Sequence, residues 1–544
     1  MDGLNSDQVE EYKAWFKKSS PPPFRLARRF SVSKDDTLKF QSVAIFPFDE
    51  NSYDKPELRE SWEKLVSEYW DAVAVGSDYS LFVFFTSKNK PPLWVKLPED
   101  EQKLLKTDKM CVAWSMASAP PWNPYIIFSR GSLLYVYDVA QKGIIGWIRG
   151  HGGAITSISV HVNQPNLFCT TSRDFTTRIY DLNHLVSDPS QVNPGRKANL
   201  NEVPNPHWPP GKKPSLAGAP HGLHLHPSES EGNGLGRCII VLLGGRSGGH
   251  QAAVLGAAFH PVYPVIATCG LDRTVKIWPL RRRSREQITR EDKPLFSSSM
   301  LHRARVLSVS WLQDDLLLTH SAPAVMRVSP DSKHDKRTYT EAGELVMWRW
   351  LGVDRFFSAQ FEQEGDAVFN LRGCSSDYQE SSSFKLISIH AFPAVRNQYI
   401  APQLGIFQAS PAHDTLILYV YPDGQSIYFL NAAHMKPRER PALPKEAEKL
   451  LTRHQDATGT ALVDATGRMR LGGQEEADVE EETDDERLIL RRPDVVVPEI
   501  ESRKIDLREE NAGRSLMACA IGMGGRVVVG VGSKGSIWVW RYDD

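Results

Sequence analysis

Two histidines stand in the same company. His151 is followed by Thr170, Asp174 and Tyr180, and His250 by Thr268, Asp272 and Trp278, so an imidazole, a hydroxyl, a carboxylate and a large ring recur in one order at nearly one spacing. An imidazole near a carboxylate can serve as a metal ligand or a general base. The alternative is architectural: each histidine bonds the hydroxyl of a following strand, the aspartate sits in the tight turn after it, and the ring closes the unit with a large face and a polar tip. The architectural reading is preferred, because a buried polar network satisfies all of these groups without a ligand. His161 falls in a turn and is expected to tolerate substitution.

Other chemistry finds no support in the chain. There is no P-loop, GxSxG or HExxH pattern, and the glycine-rich LLGGRSGGH at 242–250 precedes a strand instead of opening a helix, so it lacks a phosphate-binding context. His221, His224 and His226 could form a metal set, but they lie in a Pro-, Gly- and Asn-rich stretch with nothing to orient the rings. The six cysteines show no CxxC pair, which points to reduced thiols in a reducing compartment without a zinc site. No catalytic, cofactor or metal residue is assigned. Lys+Arg and Asp+Glu nearly cancel, 65 against 66, so the chain as a whole lacks the basic field of a nucleic-acid binder. The opening MDGLNSDQVEEYKAWF is too polar for a signal peptide, and no apolar run reaches the roughly 18–20 residues of a membrane helix.

The elements that must position the two histidine sets are strands. Gly150-His151 and Gly249-His250 each open a unit of strand, His-Pro-like turn, apolar strand, Asp-bearing turn and aromatic-closed strand, which is the order of a propeller blade. With those two as a frame, KMCVAWSM to GIIGWIRGH forms a preceding blade, VLSVSWL to ELVMWRWL one around 305–350, LGIFQASP to QSIYFLN one at 404–431, SLMACAIG to SIWVWRYD the last, and LKFQSVAIF to SLFVFFTS the first. The fold class is therefore all-β, a seven-bladed WD-repeat β-propeller spanning 24–544 with long inter-blade insertions. The last blade lacks a strand and Phe24–Val32 supplies a spare one, so pairing of the two is expected to close the ring. Residues 1–23 form an N-terminal extension with a short helix carrying Val9, Tyr12, Trp15 and Phe16 at helical spacing. Insertions at 184–236, 281–300 and 433–512 are expected to be mostly flexible. The last carries the acidic QEEADVEEETDDER, and 281–292 is locally basic.

GHGGAITSISVHVNQPNLFCTTSRDFTTRIYDL, GGRSGGHQAAVLGAAFHPVYPVIATCGLDRTVKIWPL and LHRARVLSVSWLQDDLLLTHS, with His302, Arg303, Val309, Trp311 and Leu312 in register, resemble the extra sex combs / embryonic ectoderm development family of Polycomb WD-repeat proteins. The resemblance covers about 108–183, 237–280 and 301–350 and none of the insertions. It implies a nuclear, non-enzymatic scaffold subunit of Polycomb repressive complex 2. Such a subunit clasps a helix of an Enhancer-of-zeste-type SET-domain methyltransferase across one face, and supports histone H3 lysine-27 methylation and gene silencing. Other Polycomb subunits and the histone H3 tail are the further partners implied, with no membrane and no sequence-specific nucleic acid. The family also holds trimethylated lysine in an aromatic cage by cation–π attraction. Here the corresponding positions are Phe40, which keeps its ring, Met110, and Gln403 and Leu404 where a Trp-Tyr pair is expected, with Tyr399 as a substitute ring. A cage short of rings loses much of the ~0.5–2 kcal/mol that each good contact supplies, so methyl-lysine readout is not expected. A WD-repeat adaptor of another kind, such as a ubiquitin-ligase substrate receptor, is the competing reading.

Overall fold

The computed structural model describes residues 23–32, 37–49, 52, 58–77, 80–87, 90–97, 109–148, 150–185, 232–243, 248–281, 288–327, 337–357, 379–393, 399–408, 414–437, 497–507 and 513–542. The chain divides into one unit of 1–435 with 498–544, and a second, 436–497, that lies almost wholly outside the described residues.

The first unit is a ring of seven four-stranded antiparallel blades. Its first strand is β1 (Phe24–Ser31). Blade 1 comprises β2 (Phe40–Ile45), β3 (Ala72–Ser77), β4 (Ser80–Phe85) and β5 (Leu93–Lys96), with helix α1 (Arg59–Tyr69) between its first two strands. Blade 2 is β6 (Val112–Met116), β7 (Pro124–Arg130), β8 (Leu133–Asp138) and β9 (Gly143–Ile148); blade 3 is β10 (Ile155–Val160), β11 (Leu167–Ser172), β12 (Thr177–Leu185) and β13 (Gly232–Leu242). Blade 4 is β14 (Val254–Phe259), β15 (Val265–Gly270), β16 (Val275–Pro279) and, after β17 (Thr289–Glu291), β18 (Phe296–Ser298). Blade 5 is β19 (Val306–Trp311), β20 (Leu316–Ser321), β23 (Glu344–Trp350) and β24 (Phe384–Ala391), with the hairpin β21 (Ala324–Arg327) and β22 (Thr338–Glu341) and the short helix α2 (Val353–Phe356) inserted. Blade 6 is β25 (Gln403–Phe407), β26 (Leu416–Val420), β27 (Ser426–Asn431) and β28 (Arg503–Asp506). Blade 7 is β29 (Leu516–Gly522), β30 (Val527–Gly532), β31 (Ser536–Tyr542) and β1, which pairs with β31 from Phe24↔Tyr542 to Ser31↔Ser536.

Middle strands such as AVAVGS and SLFVFF are buried at every position, because a blade is covered on both faces by its neighbours. The core is accordingly a ring of interfaces. Phe40, Val75 and Phe82 of blade 1 meet Val529, Ile537 and Val539 of blade 7, and Leu418 and Phe429 of blade 6 meet Trp538 and Trp540. On the blade 1–2 side, α1 turns Trp62, Val66 and Tyr69 inward against Phe46, Trp114 and Trp122.

Several expectations about the insertions need correction. Residues 281–300 hold β17 and β18, and Phe296 is fully buried against Trp348, so part of this stretch belongs to the sheets. A three-residue strand flanked by charge carries no alternation to betray it. Buried Glu291 is held by Arg281 through Nε at 3.2 Å and a terminal nitrogen at 2.9 Å. Insertion 433–512 likewise contains β28, the outer strand of blade 6, and insertion 184–236 contains the start of β13. The N-terminal helix at Ser6–Ser19, the histidines His221, His224 and His226, and the acidic run lie outside the described residues. Cys111, Cys169, Cys238, Cys269 and Cys519 are buried free thiols. No helix among the described residues is long and apolar enough to cross a membrane.

Candidate functional site

In blade 3, Asp174 accepts from Gly152 N at 3.0 Å, Thr176 N at 3.0 Å, Thr176 Oγ1 at 2.7 Å and His151 Nδ1 at 2.9 Å. These donors fix an ionised carboxylate and place the histidine proton on Nδ1, so Nε2 accepts from Thr170 Oγ1 at 2.7 Å. Blade 4 repeats the arrangement and extends it: Trp278 Nε1 donates to Thr268 Oγ1 at 2.9 Å, Thr268 lies 2.8 Å from His250 Nε2, and His250 Nδ1 lies 3.0 Å from Asp272. In blade 3 Tyr180 instead stacks on Phe168 at 5.0 Å. Burial pushes the pKa of His151 and of His250 down, while the electrostatic pull of the facing histidine, and then hydrogen bonds, hold both aspartates well below the usual carboxylate range against the opposing effect of burial.

Hydroxyl, imidazole and carboxylate in line could pass for a nucleophile and its base. Thr170 and Thr268, however, are fully buried, so no substrate reaches either oxygen. Among the described residues no group of three or more His, Cys, Asp or Glu could hold a metal. Each network instead ties the start of a blade to its second and third strands. Blade 5 has a third, incomplete version in which His302 Nε2 sits 2.7 Å from Thr319 Oγ1. Its aspartate-bearing turn is replaced by the β21–β22 hairpin, which is why spacing alone did not reveal it.

Asp272→Ala strips the acceptor from His250 Nδ1, Gln251 N and Thr274 N and should cost about 1–3 kcal/mol. Trp278→Ala, at a fully buried ring, should cost about 3–5 kcal/mol. Urea midpoints check both; a midpoint equal to wild type for either would contradict the network's role. His161 requires a correction. It is 9% exposed, its Nδ1 accepts from Asn163 N at 3.2 Å, and its ring packs 5.2 Å from Phe259 of the next blade. Its turn is a wedge between blades, and substitution there should be costly.

Of the positions compared with a methyl-lysine cage, Phe40 and Met110 are buried and Tyr399 is exposed. Phe40 is fully buried, stacked on Phe82 at 6.2 Å in the blade 1–7 interface. Met110 is buried in the blade 1–2 core, where a Cβ on Gly76 would come within 3.2 Å of its Cγ. Tyr399 is 63% exposed. What crosses the site is a residue not singled out from sequence: Lys109 Nζ donates to Gln403 Oε1 at 2.7 Å. A lysine just ahead of an apolar strand was its only sequence signal.

The inner strands start on that face and end on the other, where a different surface forms. Val162 and Val262, in the turns after β10 and β14, are 71% and 48% exposed, and Leu351, after β23, is 57% exposed. Neighbouring turns are braced by Asn163 Nδ2 donating to Pro261 O at 2.8 Å, by His260 Nε2 donating to Asp314 O at 2.8 Å, and by Tyr263 stacked on Phe357 at 4.4 Å. The result is an apolar, backbone-braced platform across blades 3 to 5.

Blade geometry and the repeated His–Asp network define a WD-repeat β-propeller, and the WD domain, G-beta repeat family matches residues 143–181 and 237–279. By sequence the chain is related to Polycomb group proteins: FIE1 of Zea mays, 22% identical over 298 residues and 52% of each chain, and FIE1 of Oryza sativa subsp. japonica, 48% identical over 160 residues, 29% of this chain and 28% of the relative. The chain spans about half the length or less of the curated relatives it matches. In fold it resembles a chain in the Chaetomium thermophilum Polycomb Repressive Complex 2 bound to GSK126, with TM-score 0.55, 15% identity and coverage of 96% of this chain and 99% of that one. A chain in a structure of that complex with H3K27me3 and H3K27M matches with TM-score 0.54, 15% identity and coverage of 95% and 98%.

Proposed function

We propose that this chain is a nuclear, non-catalytic scaffold subunit of a Polycomb repressive complex 2, holding an Enhancer-of-zeste-type SET-domain methyltransferase and so supporting histone H3 lysine-27 methylation and gene silencing. The observation that carries this reading is the sequence relationship to Polycomb group proteins of maize and rice. The platform of Val162, Val262 and Leu351 supports it, since exposed apolar side chains on a rigid frame suit the apolar face of a partner helix. Affinity purification of the tagged full chain from nuclei tests it. A SET-domain methyltransferase is expected as a stoichiometric partner; cullin adaptors in its place would overturn the proposal.

Within such a complex this subunit is not the reader of trimethylated lysine. Phe40 and Met110 are packed away, and the ammonium of Lys109 already stands at the remaining position, where it repels a second cation. Calorimetry with trimethylated and unmethylated histone peptides should give matching affinities. A tenfold preference for the trimethylated form, about 1.4 kcal/mol, would show that other rings complete a cage.

A further inference from the structure

Lys109 precedes β6, the innermost strand of blade 2, and Gln403 opens β25, the innermost strand of blade 6. Innermost strands pack in ring order, β25 on β29, β29 on β2 and β2 on β6, so blades 7 and 1 lie between the two residues on the shorter way round. The 2.7 Å hydrogen bond from Lys109 Nζ to Gln403 Oε1 therefore reaches over the end of the central channel. An ammonium has three donors and carries a full charge, and here its bonded partner is a neutral amide. Among the described residues no carboxylate pairs with it. Its surroundings push the Lys109 pKa down through desolvation, as for a cation without a counter-ion, and the residue as a whole is partly buried. The Gln403 amide has a second end, an NH2 group that donates, beside the oxygen that holds Lys109.

We propose that this channel mouth is a receptor for a carboxylate side chain of a partner protein, with Lys109 as counter-charge and Gln403 as second donor. One ammonium and one amide match the two oxygens of a carboxylate. A phosphate would call for further cations, and the described residues bring no second cation onto Gln403. Tyr399, on the same face and largely exposed four residues before Gln403, offers a flat surface for the peptide flanking the acid. The chemistry is the inverse of a methyl-lysine cage: the mouth favours an anion and rejects a cation. This inference does not depend on which complex the chain serves.

The test is fluorescence anisotropy with the full chain and a labelled Ac-Gly-Glu-Asp-Glu-Gly-amide peptide, against the same peptide with Gln and Asn in place of Glu and Asp. The acidic peptide should bind at least tenfold more tightly than its amide counterpart. Lys109→Met and Gln403→Met should each weaken it at least fivefold, with the Lys109→Met protein melting no lower than wild type, because removing a desolvated charge that lacks a counter-ion relieves a cost. Should Lys109→Met fail to fold, Gln403→Met, which keeps the charge, is read alone. Equal affinity for the two peptides, or acidic-peptide binding unchanged in Gln403→Met, would overturn the proposal. So would competition by inorganic phosphate as effective as by the unlabelled acidic peptide, which would make the mouth a site for free anions.

Discussion

Deleting residues 1–32 is expected to unfold the entire propeller. The deletion removes β1, the outer strand of the last blade, and with it the seam where the two ends of the chain meet. Phe24 stacks on Phe429 of blade 6 at 5.9 Å and Phe30 meets Phe84 of blade 1 edge-on at 5.2 Å, so one strand grips three blades. Val32 N donates to Gly535 O at 3.0 Å and Gly535 N to Leu38 O at 2.8 Å, continuing the seam into blade 1. Without β1, β31 is left with an open edge, and blade 7 is held to the ring by side-chain packing and isolated backbone bonds such as Leu516 N to Gly424 O at 2.8 Å. A domain's net stability is about 5–15 kcal/mol, and the loss of a strand ladder and two aromatic anchors is of that order. The truncated chain should show no cooperative thermal transition and should elute as aggregate. A sharp melt within about 5 °C of wild type would refute closure by β1.

Acid should destabilise the protein from about pH 6.5 downward, beginning before the carboxylates titrate. His161 and His320 are each pushed down to about 4 by burial, and burial also lowers His151, His250 and His260. For a histidine whose folded pKa lies below its unfolded value near 6.5, the unfolded chain binds more protons in the interval between them. The stability each contributes is thus fully present above pH 6.5 and is lost as pH falls toward the folded value. At ~1.4 kcal/mol per unit, buried His320 alone accounts for about 3 kcal/mol by pH 4. Its ring faces Ser308 Oγ at 2.6 Å and Phe392 at 5.9 Å, and burial outweighs the opposing pull of the Pro402 backbone. Asp174 and Asp272, held low in the fold, add their share only as pH falls below about 4. Urea titrations at pH 7.5, 6.0 and 5.0 should show stability falling steeply, with a shallower fall in His320→Gln. A flat profile from 7.5 to 5.0 would contradict the neutral, buried state of these rings.

Much of this was legible in the sequence because blades 3 and 4 keep every part of the repeat. His151, Thr170, Asp174 and Tyr180, and their counterparts in blade 4, announce both the strands and their bonding partners. Closure by Phe24–Val32 was legible for a different reason: a last blade one strand short requires a donor. The hidden strands are those whose neighbours in space are distant in sequence or whose length is minimal. β28 returns to blade 6 across some seventy residues, pairing Ser426 with Asp506, and β18 has three residues with no pattern. The channel mouth was half legible. The departures at Met110 and Gln403 pointed away from a cage, but nothing in the linear order of residues says that Lys109 and Gln403, 294 positions apart, touch.

Adjacent blades in such a ring ordinarily meet through side chains, yet here blades 2 and 3 share backbone. The start of β13 crosses to pair with β9, Gly232 opposite Ile148 and Gly234 opposite Gly146, in contacts so close that a Cβ on any of these glycines would strike the facing strand. Its far end pairs in parallel with β17, from Ile240↔Thr289 to Leu242↔Glu291, on the way into blade 4. Hydrogen-bond ladders resist shear far better than packed side chains do, because several bonds must break together before a ladder slips. Blades 2 and 3, with the entry to blade 4, are consequently joined by the longest backbone ladders between blades among the described residues, whereas blades 5 and 6 and blades 6 and 7 share only isolated bridges. A partner gripping Val162 thus pulls on a plate that includes blade 2, whose innermost strand follows Lys109.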